Sequence, residues 1–217
     1  MPTTVEITGY KFQELTPQAK EQACSTLQPD NDCYWHEFII DNAKEDGKAL
    51  GFDIRDIAFS GFCSQGDGAS WSGYVDMVAW LDKHKPEDAQ AHVVIALIEN
   101  DWAERKIKIS FSSNHYVHSN TMVRNNLYWQ NLATDAGNDD HIEVGMFKGA
   151  SVSNLFDALP EDYADTIADE VLQSARNYAD EIYKQLRDEY ERMCSEEYIA
   201  ELCDANEYLF NKKGELL

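Results

Sequence analysis

The chain has 217 residues, a hydrophobic content of 43%, an aromatic content of 12% and a formal net charge of −22. A chain of this length and apolar content can bury a core, which excludes the intrinsically disordered class despite the charge. The charge also argues against direct binding to nucleic acid or to an anionic membrane, because both would be repelled. It fits a basic protein partner, with plain solubility as the alternative explanation.

The sequence also has no sign of export or of a bound cofactor. No run approaches the ~18 apolar residues of a membrane span, and the first residues lack the basic and apolar regions of a signal peptide. The five cysteines contain no CxxC pair, so we expect neither a zinc site nor another metal site. Because no established cofactor motif occurs, we expect no cofactor. The missing export signal and the cysteine pattern predict a cytoplasmic protein with reduced thiols.

The first third of the chain predicts a short strand and two helices. Alternation over residues 5–7 indicates the strand, and Thr16 followed by proline predicts a helix through Leu27. A second helix is predicted over residues 35–50, with Gly51 at its C-terminal end. The apolar positions of that second helix are expected to face the core; they are Trp35, Phe38, Ile39, Ala43 and Leu50.

A hairpin is predicted next. Two alternating segments, residues 57–59 and 69–77, flank a glycine-rich connection at residues 63–68. Pro86 is then expected to open a helix whose apolar run, residues 93–98, is also compatible with a strand.

Three strands and a loop are predicted in the middle of the chain. Residues 107–111 alternate as a half-buried strand does, and a second strand is expected over residues 115–123. Residues 125–140 are polar and predict a loop, while residues 141–147 are expected to return as an edge strand.

The C-terminal third predicts long helices. Residues 160–193 contain no internal proline or glycine, and Ser195 is expected to cap a shorter helix through Ala205. We therefore predict a single α+β domain over residues 1–217, with an antiparallel sheet, helices packed on one face and a long C-terminal helix. Residues 1–150 would form the sheet-containing core and residues 151–217 the acidic helices. One apolar stripe marks the buried face of the long helix: Ile167, Val171, Tyr178, Ile182, Leu186 and Met193.

The long helix is acidic, which raises the possibility of DNA mimicry. It carries ten acidic and four basic residues over roughly 50 Å. Duplex DNA carries one charge per ~1.7 Å, so the helix alone is several-fold too sparse to act as a mimic. Glu189 falls within the apolar stripe and should either reach solvent at the helix end or meet a polar group of the sheet.

Three motifs, taken together, resemble a family of small phage-encoded proteins. They are SGFCSQGDGA at residues 60–69, HYVHSNTM at residues 115–122 and IYKQLRDEY at residues 182–190. They occur in the same order over nearly the whole chain. The resemblance implies a protein that acts in the cytoplasm of an infected bacterium, in some cases labelled the antitoxin of a toxin–antitoxin system.

A polar loop and two histidines are the candidate ligand site. Ser64, Gln65 and Asp67 lie on a glycine-flanked loop, although a tight turn in which Asp67 bonds its own backbone is the alternative. His115 and His118 are three residues apart and would face opposite sides of a strand, so they make a poor metal pair. If His118 lay beside Asp67, with Ser64 and Glu189 nearby, the group could bind or hydrolyse a nucleotide-derived compound.

The preferred hypothesis from the sequence is nevertheless a binding protein. No catalytic motif such as GxSxG or HExxH is present, which favours a non-enzymatic inhibitor of a host factor. The acidic C-terminal helices would meet a basic surface on that partner, and a homo-oligomer is possible. The residues expected to contact the partner are Asp180, Glu181, Asp188, Glu196 and Glu197.

Overall fold

A computed structural model describes residues 8–29, 34–111, 117–127 and 140–217. The chain forms two compact units. The first combines Met1–Glu37 with Lys184–Leu217, and the second is Phe38–Tyr183. No helix in the described ranges is both long enough and apolar enough to cross a membrane.

The second unit contains a four-stranded antiparallel sheet in the order β1-β2-β3-β4. The strands are β1 Phe52–Phe59, β2 Ala69–Asp76, β3 Lys106–Phe111 and β4 Met122–Arg124. The predicted hairpin is confirmed, because β1 and β2 pair across the loop at residues 60–68, but β1 begins five residues earlier than expected. The predicted α+β class with an antiparallel sheet is therefore confirmed.

One face of the sheet is apolar and buried. Phe52 and Val75 face each other across β1 and β2, and Ile107 continues the same row on β3. Trp71 lies on this face and donates a 3.0 Å hydrogen bond from its indole Nε1 to the Ala175 carbonyl. That carbonyl belongs to the long helix, which therefore packs on this face of the sheet.

The helices of the described chain are α1 Pro17–Leu27, α2 Glu37–Lys48, α3 Met77–His84, α4 Ala89–Glu99, α5 Val152–Asp157, α6 Tyr163–Cys194 and α7 Glu196–Ala205. The long C-terminal helix is thus confirmed as α6. Five of the six stripe residues are buried, and the ring of the sixth, Tyr178, packs on Phe52. Two predicted caps are also confirmed, since Thr16 accepts from the Ala19 amide and Ser195 from the Tyr198 amide.

The first unit has its own small core. Phe12 and Phe210 contact each other edge to face, with ring centroids 6.3 Å apart. Ala19 and Ala23 of α1 pack into the same cluster as Ile199 of α7. The small alanines keep the α1 surface narrow enough for α7 to approach.

Two predictions in the second unit are wrong. The second strand of the hairpin was expected to continue through residue 77, but it ends at Asp76, whose carboxylate accepts from the Val78 and Ala79 amides and starts α3. Phe38 was expected in the core but is 74% exposed. The buried side of α2 is set by Ala43 and Gly47, and Phe38 lies far around the helix from both.

Two predicted strands also differ. Of the strand expected over 115–123, the described residues 117–123 contain only the start of β4, because residues 119–121 make a 3-10 helix. The edge strand expected over 141–147 is reduced to an isolated bridge between His141 and Ser151. Gly145 lies between them at φ +86° and turns the chain away from an extended course. The strand predicted at residues 5–7 lies outside the described residues, as does most of the loop predicted at 125–140.

Candidate functional site

The glycine-rich loop of the hairpin is a turn organised by Asp67. Its Oδ2 atom accepts hydrogen bonds from the backbone amides of Cys63 at 2.9 Å and Ser64 at 2.6 Å. The Asp67 amide in turn donates to the Ser64 carbonyl at 3.1 Å. Of the two alternatives for this loop, the structure therefore shows the turn in which Asp67 bonds its own backbone. Ser64 and Gln65 are exposed at its tip.

The base of the loop is closed against His118. The Ser60 amide donates to the Gly68 carbonyl at 3.0 Å, and the Gly68 amide donates to the Ser60 hydroxyl at 3.1 Å. A Cβ atom added to Gly68 would lie only 3.2 Å from His118 Cδ2 and 2.9 Å from the Val117 carbonyl oxygen. Glycine is needed here so that the two segments can approach. The structure thus places His118 beside Gly68, at the base of the loop.

His118 acts as a helix cap. Its Nδ1 atom accepts a 3.1 Å hydrogen bond from the Asn120 amide at the start of the 3-10 helix Ser119–Thr121. Because Nδ1 is an acceptor in this bond, the proton of the neutral ring lies on Nε2. Over the described residues 117–121 the predicted extended strand is not present, since His118 directly precedes the 3-10 helix. His115 lies outside the described residues.

Aromatic stacking fixes the outer part of the loop. The Phe62 ring stacks on Phe59, with centroids 6.2 Å apart, and on Tyr183, with centroids 5.6 Å apart. The Tyr183 hydroxyl also donates a 3.0 Å hydrogen bond to the Gly61 carbonyl. The first and last motifs of the sequence therefore meet in space, through an aromatic contact rather than through a carboxylate.

Arg176 is a residue of this region that the sequence reasoning missed. Its Nη2 atom donates to the Met122 carbonyl at 2.8 Å and to the Asn120 carbonyl at 3.4 Å, just after the segment that holds His118. Its Nε atom is buried and has no hydrogen-bond partner in the described chain. No pattern in the sequence indicated this role, because the acceptors of Arg176 are backbone carbonyls.

Glu189 lies in the first unit, whereas the loop lies in the second. Its two carboxylate oxygens accept from Arg192 of the same helix, at 2.8 Å from Nε and 2.7 Å from Nη2. This bidentate hydrogen bonding lowers the pKa of the Glu189 carboxyl. Glu189 thus finds its partner one helical turn away and needs no polar group of the sheet.

The five acids expected to contact a partner fall into two groups. In the first unit, Asp188 lies 3.6 Å from Arg187, Glu196 pairs with Lys20 at 2.8 Å, and Glu197 is exposed. In the second unit, Asp180 and Glu181 are both exposed on α6. Neither of these two forms an ion pair with any described residue.

A third acid joins Glu181 from a neighbouring helix. Burial, together with the negative charges of Asp46 on α2 and Glu181 on α6, raises the pKa of Tyr178 to about 12. Both acids therefore lie close enough to act on one half-buried hydroxyl. We call Asp46, Asp180 and Glu181 the α2–α6 acidic surface. Asp46 also has no ion-pair partner in the described part of the chain.

Comparison with known proteins gives a family but no activity. The family described as "Domain of unknown function (DUF8835)" matches residues 35–196. No curated protein and no solved structure matches the chain. The match covers most of the chain, including the hairpin loop, His118 and all of α6. The chain therefore belongs to the DUF8835 family, a domain of unknown function.

Proposed function

We propose that this chain is a phage-encoded acidic binding protein that engages a host cytoplasmic factor through the α2–α6 acidic surface. The observation that carries the proposal is that Asp46 and Glu181 are exposed on two helices joined by the hydrogen bond from Tyr178 to Ala43, and that neither forms an ion pair with a described cation. The motif resemblance supports a counter-defence or antitoxin-like role in the host bacterium. The partner would present a basic surface.

The contrast with the rest of α6 strengthens this choice of surface. Asp169 pairs with Arg124 at 2.8 Å, and Glu170 pairs with Lys85 at 2.8 Å. Carboxylates in the N-terminal half of the helix are thus partly neutralised within the fold. Those of the α2–α6 acidic surface form no ion pair with a described residue and are exposed to an incoming cationic partner. Such charges accelerate encounter and select the partner more than they add affinity.

The polar loop supports a small-molecule function less well. The Asp67 carboxylate and the His118 Nδ1 atom both accept backbone amides of their own segments, so these acceptors already have donors. A ligand would have to displace those bonds or use the exposed tip alone. We therefore assign the loop a structural role in holding the hairpin against the 3-10 helix.

The experiment compares three tagged proteins as bait in host lysate, at low and high salt. They are the wild type, the double reversal D180K/E181K, and the matched reversal D82K/E87K. The control changes net charge equally at two exposed acids that form no ion pair with described residues. We expect wild type and control to capture the same basic protein at low salt, and D180K/E181K to lose it.

The captured protein is then purified and its affinity for the three variants is measured directly by calorimetry. Reversing two unscreened charges should weaken binding roughly tenfold or more at low salt, with a smaller loss at high salt. Equal affinity for D180K/E181K and the wild type, or binding that ignores salt, would show that another surface carries the function.

A further inference from the structure

The solvent face of the sheet carries a group of basic residues, in contrast to the acidic composition of the chain as a whole. Tyr74 of β2 lies opposite Lys108 of β3, and Lys106 stands two residues along on the same face. Arg55 is the extra residue where the register of β1 shifts between Ile54 and Asp56. Tyr74, Lys106 and Lys108 project away from the face on which α6 packs, because side chains alternate along a strand. Arg55 lies on the same side, since its guanidinium contacts the Tyr74 ring.

The cations are gathered around the Tyr74 ring. The Arg55 guanidinium lies 4.6 Å from the ring centroid, and the Lys106 ammonium lies 5.9 Å from it. Both distances are within the range of a cation–π contact, which is favourable while leaving the cation's N–H donors available. The tyrosine therefore holds positive groups in place without neutralising them.

Few carboxylates compensate these cations, although acids outnumber bases by 40 to 18 in the chain. Arg55 and Lys108 have no ion-pair partner in the described ranges. Lys106 has only Asp53 at 3.9 Å, with both side chains more than half exposed, and such a pair contributes little. Arg105, at the rim, is held by Asp76 at 2.8 Å.

A groove runs along these residues. It has a volume of about 490 Å³ and is lined by Tyr74, Glu104, Arg105, Lys106, Lys108 and Asn125. That volume falls within the ~300–1,000 Å³ range of small-molecule sites. The lining offers ammonium and guanidinium donors for an anion, together with an amide and a phenol for a neutral polar part.

We propose that this groove binds a compact phosphate-bearing ligand of nucleotide size, with Lys108 and Lys106 contacting the phosphate. Lysine is an established phosphate ligand because its ammonium is a mobile point charge with three donors. The net charge of −22 repels a long polyanion, but local cations dominate within the ~8 Å screening length at physiological salt. A small anion therefore fits this groove where a nucleic acid strand does not.

The test is a titration followed by two-dimensional ¹H–¹⁵N NMR, with adenosine 5′-monophosphate, inorganic phosphate and adenosine as probes. The variants are K108Q and, as the matched control, K148Q, which removes an exposed cation of the same unit outside the groove. We expect both phosphate-bearing probes to shift the amide signals of residues 106–108 and 125. Adenosine should have little effect. K108Q should weaken binding roughly tenfold, as the loss of one charged contact predicts, and K148Q should not.

Several outcomes would overturn the proposal. If adenosine bound as tightly as its monophosphate, the phosphate group would not contribute to binding. If K108Q and K148Q had equal affinities, or if millimolar phosphate moved no amide signals, the groove would not be the binding site. If a single-stranded oligonucleotide bound more tightly than the mononucleotide, the ligand would be a nucleic acid strand and not a compact anion. None of these results depends on the acidic surface, so this site and the proposed function fail separately.

Discussion

The Tyr178 hydroxyl of α6 donates a 2.7 Å hydrogen bond to the main-chain carbonyl of Ala43 in α2. The same ring lies 5.5 Å from the Phe52 ring on the buried face of the sheet. Gly47 lies next to this contact: a Cβ atom there would be 3.4 Å from the Tyr178 ring, which is an ordinary contact, and 3.1 Å from Ile54 Cδ1. One side chain thus joins two helices and a strand of the second unit.

Replacing Tyr178 by phenylalanine should keep the packing and remove this hydrogen bond. We expect the free energy of unfolding to fall by about 1 kcal/mol, since the Ala43 carbonyl loses a partner in a half-buried position. Urea unfolding followed by circular dichroism measures the difference. The control is Y74F, whose hydroxyl makes no hydrogen bond in the described structure and which should change stability much less. Equal losses for the two variants would contradict the assigned role.

The same tyrosine predicts a dependence of stability on alkaline pH. Burial, with Asp46 and Glu181 nearby, raises the pKa of Tyr178 to about 12 from its ordinary 10. A group whose pKa is raised in the folded state contributes stability below the unfolded pKa and loses it as pH rises through the folded pKa. The wild type should therefore lose stability between pH 10 and 12 more steeply than Y178F. Parallel curves for the two proteins would show that the phenol of Tyr178 is not shielded.

The apolar period of α6 was sufficient to predict its buried side, but not its partners. The stripe from Ile167 to Met193 follows from spacing along one helix, and residues that share a face need no tertiary information. That Tyr178 bonds Ala43, or that Trp71 bonds the Ala175 carbonyl, depends on how distant elements meet. No local pattern records such contacts.

The candidate site shows the same division. The sequence left two alternatives open for the glycine-flanked loop, and the structure shows the tight turn, with His118 beside Gly68 at its base. The strand predicted at His118 was wrong, because a histidine that caps a 3-10 helix has no distinct sequence signature. Arg176 was missed, since its acceptors are backbone carbonyls that any residue provides.

Replacing Asp67 by alanine tests the structural role of the loop. Two backbone amides would lose their acceptor, so we expect the unfolding free energy to fall by about 1–2 kcal/mol. Amide hydrogen exchange at Cys63 and Ser64 should become faster. S64A removes an exposed hydroxyl from the same loop and should leave both measurements nearly unchanged. If D67A were as stable as the wild type, the Asp67 carboxylate would have no structural role and would be available to bind a ligand.

The pair formed by Glu189 and Arg192 predicts stability at acidic pH. Hydrogen bonding to Arg192 lowers the pKa of Glu189 from its ordinary 4.5. A carboxyl with a depressed folded pKa contributes stability above its unfolded pKa, and this contribution is lost as pH falls through the folded value. In R192Q the pKa of Glu189, followed by ¹³C NMR of its carboxyl carbon, should rise towards 4.5. An unchanged pKa would mean that the bidentate contact does not persist in solution.

Two glycine-to-alanine substitutions distinguish the cost of a steric clash, at Gly73, from the cost of a positive φ, at Gly149. An added Cβ at Gly73 of β2 would collide with the Asp53 carbonyl oxygen and lie 3.1 Å from the Arg55 amide nitrogen. Backbone atoms of a paired strand cannot move aside cheaply, so G73A should cost about 3 kcal/mol or more in thermal or urea unfolding. Gly149 has φ +85° but no atom within 4 Å of an added Cβ, so G149A should cost only about 1 kcal/mol of backbone strain. If G73A proved as mild as G149A, β1 and β2 would not pair this closely at the point where Arg55 is displaced towards Tyr74.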